Sequence, residues 1–78
     1  MGEDGRLRWK CRRGMKELDV LLQDYLEKRY PVADEAERRA FVILLDQQDP
    51  ILFAYLTGRE RPSNEEQRRV VDVLRRTP

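Results

Sequence analysis

A single cysteine, Cys11, and not one histidine in 78 residues leave this chain without a staple. One thiol cannot close an intramolecular disulfide, and one thiol without imidazoles cannot build a structural zinc site. A domain this small buries only about 60% of the surface its unfolded chain exposes, so its stability is marginal. The fold must come from close packing of secondary structure, or from a partner. The length fits one domain over residues 1–78, with short flexible tails expected at 1–5 and 77–78.

Apolar residues recur at helical spacing along the chain, with no strand alternation and no internal repeat. A first helix is expected from Gly5 to Arg13, with Leu7 and Cys11 four apart on one face and Trp9 well off it. Gly14 reads as its left-handed C-cap. A second helix, Lys16 to Lys28, carries Leu18, Leu21, Leu22, Tyr25 and Leu26 as one stripe. It ends at Tyr30-Pro31, because the residue before a proline is pushed out of the helical region.

A third helix opens on Asp34, with Glu37 three residues on as in a capping box, and buries Ala36, Ala40, Phe41, Leu44 and Leu45. Asp49-Pro50 reads as an N-cap followed by proline at the first helical position. The short apolar helix "ILFAYLTG" then closes on Gly58. After the linker "RERP", Ser63 and Glu66 are expected to form a capping box for a last helix that turns Val70, Val71 and Leu74 inward. The expected fold is all-α, a small compact bundle of about five short helices.

Charged residues make up 40% of the chain, yet the net charge is only +1. The balance hides two poles. Residues 6–16 hold six cations and no acid, +6, while the other ten cations and fifteen anions leave −5. No apolar run approaches the roughly 20 residues that cross a bilayer. The opening "MGEDGRLRW" lacks the apolar core of a signal peptide, and Glu3 and Asp4 argue against an organelle transit peptide. Arg6 stands where myristoylation at Gly2 would want a hydroxyl. The expected location is cytoplasmic.

Signs of catalysis are poor. Without histidine the commonest general base is missing, and the only serine, Ser63, is better used as a helix cap. Cys11 among cations could be a reactive thiolate, but its place on the Leu7 face favours a buried small hydrophobe. No catalytic, cofactor-binding or metal-binding residue is assigned, and the chain is read as a non-enzyme. The basic block with Trp9 would suit a nucleic-acid backbone, but the −5 remainder opposes it and no helix-turn-helix or zinc-finger pattern is present.

Arginine and tryptophan are also enriched at the centres of protein interfaces. On spacing alone, the unit Arg13-Gly14-x-x-Glu17 reads equally well as a contact surface or as helix punctuation, with Glu17 placed to suit a helix N-terminus.

The wider stretch "RWKCRRGMKELD" closely resembles the signature of the succinate dehydrogenase assembly factor 2 (SdhE/Sdh5) family, whose R-G-x-x-E motif lies between its first two helices. Arg13, Gly14 and Glu17 supply the motif, flanked by Arg8, Trp9, Cys11, Arg12, Met15, Leu18 and Asp19. A second stretch, "LLDQQDPILFAYLTGRERP", is similar to the family's D-P-x-L-F region, with Tyr55 where members often carry tryptophan.

The resemblance implies a factor that binds the flavoprotein subunit of succinate dehydrogenase or of fumarate reductase. It implies that the factor promotes covalent attachment of FAD to a histidine of that client. FAD is then the client's cofactor, not a stable ligand of this chain, and a monomer is expected. The implied partner-binding residues are Arg8, Trp9, Arg12, Arg13, Gly14, Glu17 and Asp19. Arg13 would offer a forked cation to the client, and Glu17 would pair with a client cation or hold Arg13 in place. The alternative is a small regulatory or antitoxin-like module that contacts a protein or nucleic acid.

Overall fold

The computed structural model describes residues 2–76, with side chains from residue 5 onward, and all of its regular structure is helical. Helices α1 (Gly2–Lys10), α2 (Lys16–Lys28), α3 (Glu35–Leu44), α4 (Asp49–Leu56) and α5 (Glu65–Arg76) follow one another, with a 3-10 turn at Tyr30–Val32 after α2. The tails expected at Met1 and residues 77–78 lie outside the described residues.

The first helix departs from expectation at both ends. It begins at Gly2, so residues 2–5 are helical rather than a tail, and it stops at Lys10 rather than Arg13. The Arg12 N–H bonds to the Trp9 carbonyl at 3.1 Å, the tighter three-residue spacing with which helices unwind. Gly14, at φ +85°, comes too late to cap α1; it immediately precedes Met15, the N-cap of α2.

One core joins all five helices. Leu7 and Cys11 enter it from the α1 segment, Leu18, Leu22 and Tyr25 from α2, and Ala40, Phe41, Leu44 and Leu45 from the α3 segment. Leu52 and Leu56 of α4 and Val70, Val71 and Leu74 of α5 complete it. Each fully buried leucine contributes about 1.5–3 kcal/mol relative to exposure. Leu21 and Leu26 sit half-buried at its edge, as does Ala36. The Tyr25 and Phe41 rings lie 4.4 Å apart, tilted by 31°.

The caps follow the chemistry of their residues, with two shifts. The Asp34 carboxylate accepts the Glu37 N–H at 2.8 Å, as expected. Glu37 does not reach back to complete the box. Its carboxylate accepts the Tyr25 hydroxyl at 2.6 Å and Arg29 Nε at 3.0 Å, tying α2 to α3. The Arg29 bond holds the Glu37 carboxyl below the usual carboxylate range, and burial pushes the Tyr25 phenol up.

Helix α5 is capped by Asn64, whose Oδ1 accepts the Gln67 N–H at 3.0 Å, and not by Ser63. Both residue types cap well, and the asparagine one position later is the one whose side chain reaches the third helical N–H. Gln48, not Asp49, is the N-cap of α4; Asp49 stands at the first helical position and Pro50 follows it. Gly58, at φ +83°, ends α4 as expected. Its N–H bonds to the Tyr55 carbonyl at 3.2 Å and the Arg59 N–H to that of Ala54 at 2.9 Å, the paired pattern of a Schellman motif.

Candidate partner-binding site

The loop between α1 and α2, residues 11–15, holds Arg13 and Gly14 of the R-G-x-x-E unit, and Glu17 follows just inside α2. Two side chains fasten it from behind. Arg13 turns inward, its side chain only 14% exposed. Its Nε donates to Asp49 Oδ1 at 3.0 Å. Its Nη1 donates to the Leu45 carbonyl at 2.9 Å and to the Lys10 carbonyl at 3.2 Å. Its Nη2 donates to the Gln47 carbonyl.

One guanidinium therefore satisfies the last turn of α1, the open carbonyl end of α3 and the first residue of α4. A planar fork with five donors suits this task, and a lysine ammonium does not. Lys10 adds a second link across the same gap, 3.4 Å from Asp46 Oδ1.

Asp19, in the first turn of α2, is the other fastening. Its Oδ1 accepts the Arg13 N–H at 2.7 Å and its Oδ2 the Gly14 N–H at 3.3 Å. Met15 has no side-chain cap of its own, so a carboxylate four residues on reaches back to the loop. Behind the loop lies Cys11, with no exposed surface. Burial pushes its thiol up to about 11, outweighing the nearby Arg13 charge, so the reactive-thiolate alternative does not hold.

The residues expected at a partner surface thus divide in two. Arg13 and Asp19 spend their polar atoms inside the molecule. Arg8, Trp9, Arg12, Gly14 and Glu17 face solvent, and Trp9 is 73% exposed. Glu17 sits in the first turn of α2, favoured there by the helix dipole, and no hydrogen bond or ion pair ties its carboxylate to another described residue. It does not hold Arg13; Asp49 does. A Cβ built on Gly14 would meet nothing within 4 Å, so this glycine is required by its φ and not by crowding.

The two stretches that carry the family resemblance meet here. The bonds from Arg13 and Lys10 to residues 45–49 join positions more than thirty residues apart and make the two stretches one continuous feature. Sequence reasoning did not single out Lys10, Asp46, Gln47 or Asp49 as parts of this site. The only local signal was an aspartate at a helix start, which is ordinarily a dipole or capping residue.

The family model described as "Flavinator of succinate dehydrogenase", Sdh5, matches residues 5–78. The chain belongs to this family. Its relatives agree. A Methylococcus capsulatus protein named FAD assembly factor SdhE is 52% identical over 64 residues, covering 82% of this chain and 77% of that protein. The Legionella pneumophila factor of the same name is 48% identical over 63 residues, 81% of this chain and 80% of its own length. That of Coxiella burnetii is 41% identical over 66 residues, 85% and 80%. The all-α fold expected of the family is the fold observed, and no described helix is long and apolar enough to cross a membrane.

Proposed function

We propose that this chain is a FAD assembly factor. It binds the flavoprotein subunit of succinate dehydrogenase, or of the related fumarate reductase, and promotes covalent attachment of FAD to that subunit. Membership of the flavinator family supports this, and so does one structural observation. The Gly14–Glu17 step stands clear of the body, fixed from behind by Arg13 and Asp19.

On this reading the factor works by holding, not by reacting. Glu17 presents an unpaired carboxylate to a cation of the client, and Gly14 leaves bare backbone where a second backbone can approach. Arg8, Trp9 and Arg12 extend the contact along α1. The loop is already fastened before the client arrives, so little ordering is lost on binding. The factor shifts its client toward the attachment-competent state only if it binds that state more tightly than the mature one. The flavin and the histidine it joins belong to the client. The factor acts as a monomer in the cytoplasm and catalyses no bond change itself.

The test is covalent flavin on the client, read by in-gel fluorescence with and without the factor. Glu17→Ala is expected to lower flavinylation about tenfold, the order expected for losing a charged interface contact. Its melting temperature should stay near that of the parent, since the side chain touches nothing within the fold. Full flavinylation by Glu17→Ala would remove this carboxylate from the mechanism.

A further inference from the structure

The seam between α1 and α2 opens into a groove of about 440 Å³ that the R-G-x-x-E surface does not include. Its walls are Arg8 from α1, Leu26 and Glu27 from α2, Tyr30 and Pro31 from the 3-10 turn, and Arg38 from α3. Leu26, Tyr30 and Pro31 supply its apolar surface, and Arg8, Glu27 and Arg38 its polar surface. Arg38 is fixed there by donating Nε to the Tyr30 carbonyl at 3.1 Å and Nη2 to the Pro31 carbonyl at 2.9 Å. Its guanidinium carbon lies 5.3 Å from the centre of the Tyr30 ring.

The polar demand of this groove is unmet from within. Arg38 donates to two backbone carbonyls and lies over the Tyr30 ring, which hold it in place but leave its charge, and no described acid pairs with it. Arg8 has neither hydrogen bond nor ion pair among the described side chains, and Glu27 makes no ion pair with either arginine. Two guanidiniums against one carboxylate leave the groove positive. A smaller hollow of about 60 Å³ continues it along the same seam, from Arg8, Leu26 and Glu27 to Arg12 and Gln23. Arg12 directly precedes Arg13, so the track leads to the Gly14–Glu17 step.

We propose that this track docks an acidic, extended segment of the client flavoprotein as a second anchor beside the R-G-x-x-E surface. The inference rests on the assembly-factor reading for the identity of the client. Charge selects the occupant: carboxylates face Arg8 and Arg12, while an apolar side chain lies over Leu26, Tyr30 and Pro31. An extended chain turns alternate side chains to opposite sides, so acid and apolar positions separate naturally between the polar and apolar surfaces of the groove. The Glu27 carboxylate opposes the occupant, so the native groove is weaker than its shape allows.

The experiment is the affinity of fluorescently labelled full chain for the flavin-free flavoprotein subunit of succinate dehydrogenase, by anisotropy at two salt concentrations. Arg8→Glu should weaken binding at least about tenfold and flatten the salt dependence, while Glu27→Lys tightens binding about threefold. Arg39→Glu, the same charge change on an exposed α3 residue outside the groove, should stay within about twofold.

Each variant alters an exposed side chain with no hydrogen bond or ion pair to another described side chain, so a melting curve like the parent's is expected. Equal losses from Arg8→Glu and Arg39→Glu would reduce the effect to net charge and overturn the groove. So would binding by Arg8→Glu equal to that of the parent, or binding by Glu27→Lys no tighter than the parent's, since Glu27 lines the groove and lies outside the R-G-x-x-E surface; in each case the assembly-factor reading stands if the parent binds and supports flavinylation. A parent chain that neither binds nor promotes flavinylation would overturn that reading and the anchor with it.

Discussion

Gly14 and Gly58 share almost the same backbone geometry, φ +85° and +83°, and have opposite surroundings. A Cβ at Gly58 would meet Arg75 Nη2 at 2.9 Å, and the turn there is closed by the paired bonds that end α4. A Cβ at Gly14 would enter open solvent. Both positions need a glycine because other residues resist positive φ. At Gly58 the end of the exposed Arg75 side chain lies over the position and can swing aside. The contrast separates a glycine that serves folding from one that in addition keeps a surface bare.

The largest expected effect comes from removing what stands behind Gly14. Arg13→Ala leaves Asp49 without its cation and the Leu45 and Gln47 carbonyls without their donor. A loss of about 2–4 kcal/mol follows, on the scale of removing several hydrogen bonds from a charged donor that is itself mostly buried. In a chain of this size that lowers the melting temperature by more than about 10 °C, read by circular dichroism. Arg13→Lys should recover less than half of the loss, because one ammonium cannot serve three carbonyls and a carboxylate at once. A melting point like the parent's for Arg13→Ala would mean that the loop is held by Asp19 alone.

The comparison sharpens with the two glycines themselves. Gly58→Ala meets the backbone penalty, with Arg75 free to swing aside, and should cost about 1–2 kcal/mol. Client binding should be unchanged at temperatures where the variant is folded. Gly14→Asn should cost only a few tenths of a kcal/mol, since asparagine tolerates the left-handed region. It should nonetheless impair client binding, because its side chain occupies the bare step. Loss of binding from Gly58→Ala, or normal binding by Gly14→Asn, would erase the distinction.

The smallest effect is a control in acid. Glu37 has a folded pKa below its unfolded value, so the unfolded chain binds more protons over that interval, and stability rises with pH. The contribution is complete above the ordinary glutamate range, roughly pH 4.3, and fades as pH falls through the folded pKa. The difference in melting temperature between the parent and Glu37→Gln should therefore shrink as pH is lowered through that window. The Gly58 turn keeps its bonds there, because they run between backbone groups and involve no carboxylate. A difference that grew in acid would reverse the assigned sign.

Much of this was legible in the sequence because it is local. The stripes on α2, α3 and α5 follow helical spacing, Asp34 caps three residues away, and Cys11 pairs with Leu7 across one turn. Trp9 stands off that face, as its position requires. The first helix was misplaced because its nine residues carry little apolar pattern to set its limits. Ser63 and Asn64 are adjacent and equally capable caps, so composition could not choose between them.

Arg13 was harder for another reason. Its partners at 45, 47 and 49 are carbonyls and a carboxylate brought close only by packing α1 against the α3–α4 corner. Nothing within a few residues of Arg13 signals that its charge points inward.

The buried thiol has a chemical consequence. Attachment of a flavin to protein requires a nucleophilic side chain, and on the proposed function that side chain belongs to the client. This chain has no imidazole, and its single thiol is enclosed, with burial pushing it up to about 11. It therefore offers no competing nucleophile of either kind, and can leave its client unmodified and ready for another round.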